Sequence, residues 1–93
     1  MARYRPEVRV YTRVGCGLCA AAEEVVLRES RRGWIARPRP VVEVIDVDRE
    51  ERLVQRYGVR VPVITVDDVE VAEFEVTRDQ VRIALRAARR AGR

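Results

Sequence analysis

From Glu7 to Val47 the chain reads strand, turn, helix, loop and strand, and this order constrains the fold more than any other feature. Glu7 to Thr12 (EVRVYT) alternates around Val8 and Val10 and is rich in β-formers, which predicts a strand. Arg13 to Gly17 makes a glycine-punctuated turn. Leu18 to about Arg32 has a helical pattern, with Ala20, Ala21 and Ala22 as strong formers and Leu18, Ala22 and Val25 on one face. Gly33 suits the helix stop, and Trp34 to Pro40 (WIARPRP) holds two prolines and reads as a loop anchored by its tryptophan. Val41 to Val47 (VVEVIDV) is almost continuously apolar and β-branched, as a strand covered on both faces would be. A crossover of this length is what a parallel strand pair needs.

The remainder completes the sheet. Asp48 followed by Glu51 gives a capping-box-like start to a second helix, Arg49 to Tyr57, closed by Gly58. Arg60 to Val66 (RVPVITV) reads as a third strand, although Pro62 is unusual in a strand interior. Asp67-Asp68 is the expected hairpin turn into a fourth strand, Val69 to Phe74. Thr77 with Gln80 caps a last helix to about Arg90, with Val81, Ala84, Leu85 and Ala88 as its apolar face. The order is β-α-β-α-β-β-α. A tight final hairpin must be antiparallel, so the economical solution is an α/β fold with a four-stranded mixed sheet and three helices. With 93 residues there is core for one domain, residues 1–93, and not for two. Arg9 and Glu43 break the apolar pattern expected of strands covered on both faces.

Composition removes whole classes of chemistry. The chain has no histidine, so imidazole bases, Ser-His-Asp triads and histidine-ligated metals are excluded. Its two cysteines, Cys16 and Cys19, cannot supply the four ligands of a structural zinc site. The 19 basic residues are all arginine and the net charge is +4, but acidic residues are interleaved throughout, unlike a polybasic arm. No apolar window approaches the roughly 18 residues of a membrane span, and the charged N-terminal stretch is unlike a signal peptide. A cytoplasmic setting away from membranes is the expectation. There, paired cysteines are more often chemical than structural.

Cys16-Gly17-Leu18-Cys19 falls where the first strand hands over to the first helix. Exposed amides at a helix start, and the positive end of its dipole, stabilise a thiolate on Cys16. Cys19 follows one helical turn later, which brings the two sulfurs together. Gly15 and Gly17 leave the first sulfur open to a partner, and Arg13 adds positive charge three residues before it. This pattern reads as a redox dithiol. Three other readings stand beside it. A structural disulfide would limit little chain entropy across four residues and would be at risk of reduction. An iron–sulfur or other metal site would need ligands from a second chain or a small thiol, as in a dimer sharing a cluster through paired Cys16 residues. The thiols can also be incidental.

The run Val10-Tyr11-Thr12-Arg13-Val14-Gly15-Cys16-Gly17-Leu18-Cys19 resembles the glutaredoxin active-site segment. Downstream, Tyr57-Gly58-Val59-Arg60-Val61-Pro62-Val63 resembles the cis-proline segment of the thioredoxin superfamily, and the element order matches its minimal fold. Gly15 stands where thioredoxins place a tryptophan, so the likeness is to a small glutaredoxin-like protein. The resemblance implies a thioredoxin-like fold, Cys16 as nucleophile and Cys19 as resolving thiol. It also implies a cis Val61-Pro62 bond facing the disulfide, pairing of the Val61 backbone with a thiol substrate, and Tyr11 and Arg13 flanking the entrance. Such a thiol–disulfide oxidoreductase needs no cofactor or metal beyond its own dithiol. It takes a low-molecular-weight thiol or a protein disulfide as partner and is expected to be a monomer. One departure bears on the partner. Glutaredoxins usually carry Gly-Gly and then Asp after the last strands to hold glutathione, whereas Val69 to Asp79 (VEVAEFEVTRD) contains no glycine.

Arg78, Arg82, Arg86 and Arg89 fall at helical spacing, joined by Arg90 and Arg93. A non-catalytic module binding nucleic acid or protein through this stripe is the alternative function. Without an aromatic platform beside it, a solvated face is the expected reading, and nucleic acid is not an expected partner. Asp46, Asp48, Glu50 and Glu51 are read as a strand end and helix cap rather than a metal site.

Overall fold

The computed structural model describes residues 4–32 and 38–92. The elements are β1 (Glu7–Thr12), α1 (Gly17–Arg31), β2 (Val41–Asp46), a 3-10 turn (Val47–Arg49), α2 (Glu51–Tyr57), β3 (Val63–Val66), β4 (Val69–Glu73) and α3 (Arg78–Ala91). The sheet has four strands in the order β2-β1-β3-β4. β1 pairs with β2 in parallel and with β3 antiparallel, and β3 pairs with β4 antiparallel. This is the mixed sheet with three helices of a thioredoxin-like fold. The expected Gly33 stop and the Trp34 anchor lie outside the described residues.

Two apolar clusters hold the layers together. On one face Val8, Val10, Ile64 and Val66 of the sheet meet Ala22 and Val26 of α1 and Val81 and Leu85 of α3. On the other face Tyr11, Ile45 and Val63 meet Val47, Leu53 and Tyr57 around α2. α3 is set by its capping box: Thr77 Oγ1 accepts from the Gln80 N–H at 3.2 Å, and Gln80 Oε1 accepts from the Thr77 N–H at 2.9 Å. The Asp67-Asp68 hairpin turn has φ of 48° and 69°, the left-handed pair that matches strand twist in a two-residue hairpin.

Several sequence expectations need correction. The buried stripe of α1 is Cys19, Ala22, Val26 and Glu29, while Leu18 is exposed and Val25 only half-buried. Ala22 and Val26 pack against the sheet and α3, which sets the face of α1 that turns inward. β2 is not covered on both faces: it is an edge strand, and only Ile45 of its six residues is buried. The strand buried at all four positions is instead β3.

The second helix starts later than expected. Asp46, not Asp48, does the capping: its Oδ1 accepts from the Asp48 N–H at 2.9 Å and opens the 3-10 turn, after which α2 runs for seven residues. Gly58 does close α2. A Cβ there would lie 2.5 Å from the Val54 carbonyl oxygen, so only glycine fits. The third strand begins at Val63 because Pro62 has no N–H to give to a ladder. The fourth ends at Glu73, because Phe74 takes a left-handed φ of 62°.

Candidate active site

The end of β1 and the start of α1 place the cysteines. The turn between them closes with the Cys16 N–H donating to the Arg13 carbonyl at 3.2 Å. Gly15 there has φ 82°, a left-handed conformation that glycine adopts without steric cost. Cys16 is the N-cap of α1, at the end of the helix where first-turn amides lack helical partners, and its carbonyl accepts from the Cys19 N–H at 3.3 Å. Cys16 and Cys19 form a disulfide with a Cα–Cα separation of 5.4 Å. Cys16 is half-buried, whereas Cys19 is 4% exposed.

Val61-Pro62 lies at the same end of the sheet. The antiparallel register pairs Tyr11 with Val63, which sets Pro62 across from the last residue of β1. The Val61-Pro62 peptide is cis. The Pro62 carbonyl accepts from the Phe74 N–H at 2.9 Å, while among the described residues no backbone partner takes the Val61 N–H or C=O.

Tyr11 and Arg13 have structural duties here. Tyr11 is buried and stacks on Tyr57, with ring centroids 4.1 Å apart. Burial, and then the neighbouring Tyr11, raise the Tyr57 phenol pKa. Arg13 Nε and Nη2 donate to the two Asp48 carboxylate oxygens at 3.0 and 2.9 Å, and Nη1 donates to the Gly58 carbonyl at 3.2 Å. Its hydrogen bonds to Asp48 raise its pKa further above its already high value. Arg13 thereby braces the cysteine turn against the 3-10 turn and the end of α2. Asp48 offsets its charge, so the helix amides are the main source of positive potential at Cys16. Asp48 and Gly58 are parts of the site that sequence reasoning misses. Each carries a visible signal, a carboxylate after a strand and a glycine after a helix, but nothing local joins them to Arg13.

The other acidic residues of this region are also committed. Glu50 pairs with Arg52 at 2.9 Å, and Glu51 accepts from Gln55 at 3.4 Å. Among the described residues no three carboxylates or thiols gather as a metal site would require. In the arginine stripe, Arg78 pairs with the buried Glu29 and Arg82 with Asp79. No helix among the described residues is long and apolar enough to cross a membrane.

The glutaredoxin-like domain (DUF836) is matched over residues 7–86, which includes both cysteines and Pro62. The chain belongs to the glutaredoxin-like domain family. A solved structural-genomics target protein from X. campestris is similar at 27% identity and a TM-score of 0.66, over 87% of this chain and 97% of that one. A single-site mutant of a thioredoxin from Halobacterium salinarum is similar at 25% identity and a TM-score of 0.62, over 88% of this chain and 73% of that one. A malarial protein shares the fold at 15% identity and a TM-score of 0.63, over 90% of this chain and 97% of that one. No curated protein matches the sequence.

A glutaredoxin-like chain with this arrangement makes an expected result for its thiols. Cys16, measured in a Cys19→Ser variant, should be alkylated by iodoacetamide with a pH midpoint below the free-cysteine value of roughly 8.5. Cys19, measured in Cys16→Ser, should react more slowly because it is buried. Equal rates and ordinary midpoints for both would contradict a tuned nucleophile.

Proposed function

We propose that this glutaredoxin-like protein is a thiol–disulfide oxidoreductase, with Cys16 as nucleophile and Cys19 as resolving thiol. The observation that carries the reading is the Cys16–Cys19 pair at a helix start, its first sulfur accessible and its second buried. In the reducing direction the Cys16 thiolate attacks one sulfur of a substrate disulfide. The other substrate sulfur leaves as a thiolate and takes a proton from solvent. The Cys19 thiolate then attacks the Cys16 sulfur, expels the second substrate thiol and closes Cys16–Cys19. Two external thiols, or one dithiol, supply the two electrons and two protons that reopen the pair and are themselves left as a disulfide. The free backbone groups of Val61 suit pairing with the substrate chain, and cis Pro62 helps shape that edge.

A protein disulfide fits the rim better than glutathione does. Val14, in the cysteine turn, is 88% exposed, and Val59, beside the Arg13-held Gly58, is 89% exposed. Leu18 and Phe74 are also exposed, so apolar side chains surround the cysteines and the Pro62 loop. The segment after β4 contains no glycine to bring bare amides against a glutathione carboxylate. Glu70, within β4, is held by Arg60 at 2.8 Å, which lowers its carboxyl pKa, while Glu75 in the segment after β4 is exposed. The protein is placed in the cytoplasm as a monomer under this reading.

The test is a pair of assays. Insulin disulfides should be reduced clearly faster with the protein present when dithiothreitol supplies electrons, while glutathione-coupled disulfide reduction should be weak. Glutathione turnover equal to that of an ordinary glutaredoxin would overturn the substrate assignment. Inactivity in both assays would favour a non-catalytic binding module.

A further inference from the structure

The face of the sheet opposite α1 carries a second feature that the redox chemistry does not use. α2 has seven residues and covers the row Ile45, Tyr11 and Val63. The neighbouring row on the same face is Glu43, Arg9 and Thr65, in direct register across β2, β1 and β3. Two of these, Arg9 and Glu43, are the residues that break the apolar alternation, and α2 does not extend over the row. The three line a cavity of about 390 Å³ that reaches to Tyr11 and Tyr57 of the neighbouring row and is walled on the α2 side by Arg49, Arg52 and Arg56. Ligand pockets span roughly 300–1,000 Å³, so this volume admits a small metabolite.

Three observations define its chemistry. First, the lining holds four guanidinium groups (Arg9, Arg49, Arg52 and Arg56) and two carboxylates (Glu43 and Asp68), and Glu7, Glu50 and Glu70 outside it pair with Arg9, with Arg49 and Arg52, and with Arg56. Arg49 and Arg52 meet the Glu50 carboxylate through Nε, which leaves the outer nitrogens of each fork to the cavity. Second, Thr65 is only 2% exposed, lines this cavity, and its Oγ1 has no hydrogen-bond partner among the described residues. A buried hydroxyl without a partner is uncommon, and a ligand oxygen that moves a wall side chain aside at this floor would satisfy it. Third, the carboxylates sit beside Arg9, with Glu43 at 3.5 Å and Asp68 at 2.8 Å, and retain free acceptor positions that only hydroxyl or amine donors can fill.

We propose that this cavity binds a small phosphate monoester carrying free hydroxyls, a sugar phosphate in chemical class. The outer nitrogens of the Arg49 and Arg52 forks, which do not contact Glu50, suit phosphate oxygens. The sugar hydroxyls reach Thr65 and the two carboxylates. The site lies across the sheet from α1, whose N-terminus holds Cys16, so occupancy leaves the disulfide accessible.

The probes are ribose 5-phosphate, inorganic phosphate and ribose, titrated into the full chain and followed by amide NMR shifts. Ribose 5-phosphate should bind one to one, with a dissociation constant below about 1 mM and perturbations centred on Arg9, Thr65 and α2. Arg49→Gln combined with Arg52→Gln, both at exposed positions, should weaken it at least about tenfold. Thr65→Val, which keeps the side-chain shape, should weaken it roughly threefold or more. Unchanged affinity in the arginine double variant, or shifts centred on α3 instead, would overturn the site. Equal binding of ribose alone would remove the phosphate, and equal binding of inorganic phosphate would remove the sugar.

Discussion

Cys16→Ser is expected to reduce dithiothreitol-driven insulin reduction to the uncatalysed rate, a loss of at least about 100-fold for any catalyst that works through a thiolate. Serine keeps the shape at the N-cap but ionises too weakly to attack a disulfide. The fold should persist, since both apolar clusters are made by other residues. Loss of the short disulfide loop removes about 2 kcal/mol of chain-entropy stabilisation in the usual approximation, so the proper reference is the reduced wild-type protein. Thermal unfolding of the two should coincide while activity differs. Retained activity in Cys16→Ser would move the nucleophile elsewhere.

The second large effect concerns the scaffold. Ile64 is fully buried at the middle of β3, between β1 and β4, where strand pairing and the α1–α3 cluster meet. Ile64→Ala should cost about 2–5 kcal/mol, from lost burial and an incompletely filled cavity. Domains of this size have only about 5–15 kcal/mol in total, so the variant should melt roughly 10–30 °C lower. Ile83, 62% exposed on α3, provides the control: Ile83→Ala should stay within about 0.5 kcal/mol. Denaturant titration of both variants distinguishes the sites, and equal losses would contradict the packing described.

Legibility in the sequence follows the range of the interactions. The Thr77–Gln80 capping box, the Asp67-Asp68 turn and the Cys16–Cys19 spacing are local, and each is readable from neighbouring residues. The α1 face is harder to orient from its pattern, because its direction is set by the packing of Ala22 and Val26 on strands and a helix distant in sequence. β2 reads as a fully covered strand because VVEVIDV is apolar. Its edge position is set by strand order, which no strand encodes within itself. Tyr11 and Arg13 draw attention through family likeness, yet their partners, Tyr57 and Asp48, lie 46 and 35 residues away in sequence. The polar row of Glu43, Arg9 and Thr65 shows only as two irregular positions until the register aligns them.

The central claim is that Cys16 attacks and Cys19 resolves, and one measurement addresses it directly. A Cys19→Ser variant is incubated with a disulfide-linked peptide and its intact mass is read before and after dithiothreitol. The account predicts a single peptide adduct on Cys16 that accumulates and is released by the reductant. No adduct on Cys16, or faster capture by Cys19 in the reciprocal Cys16→Ser variant, would contradict it.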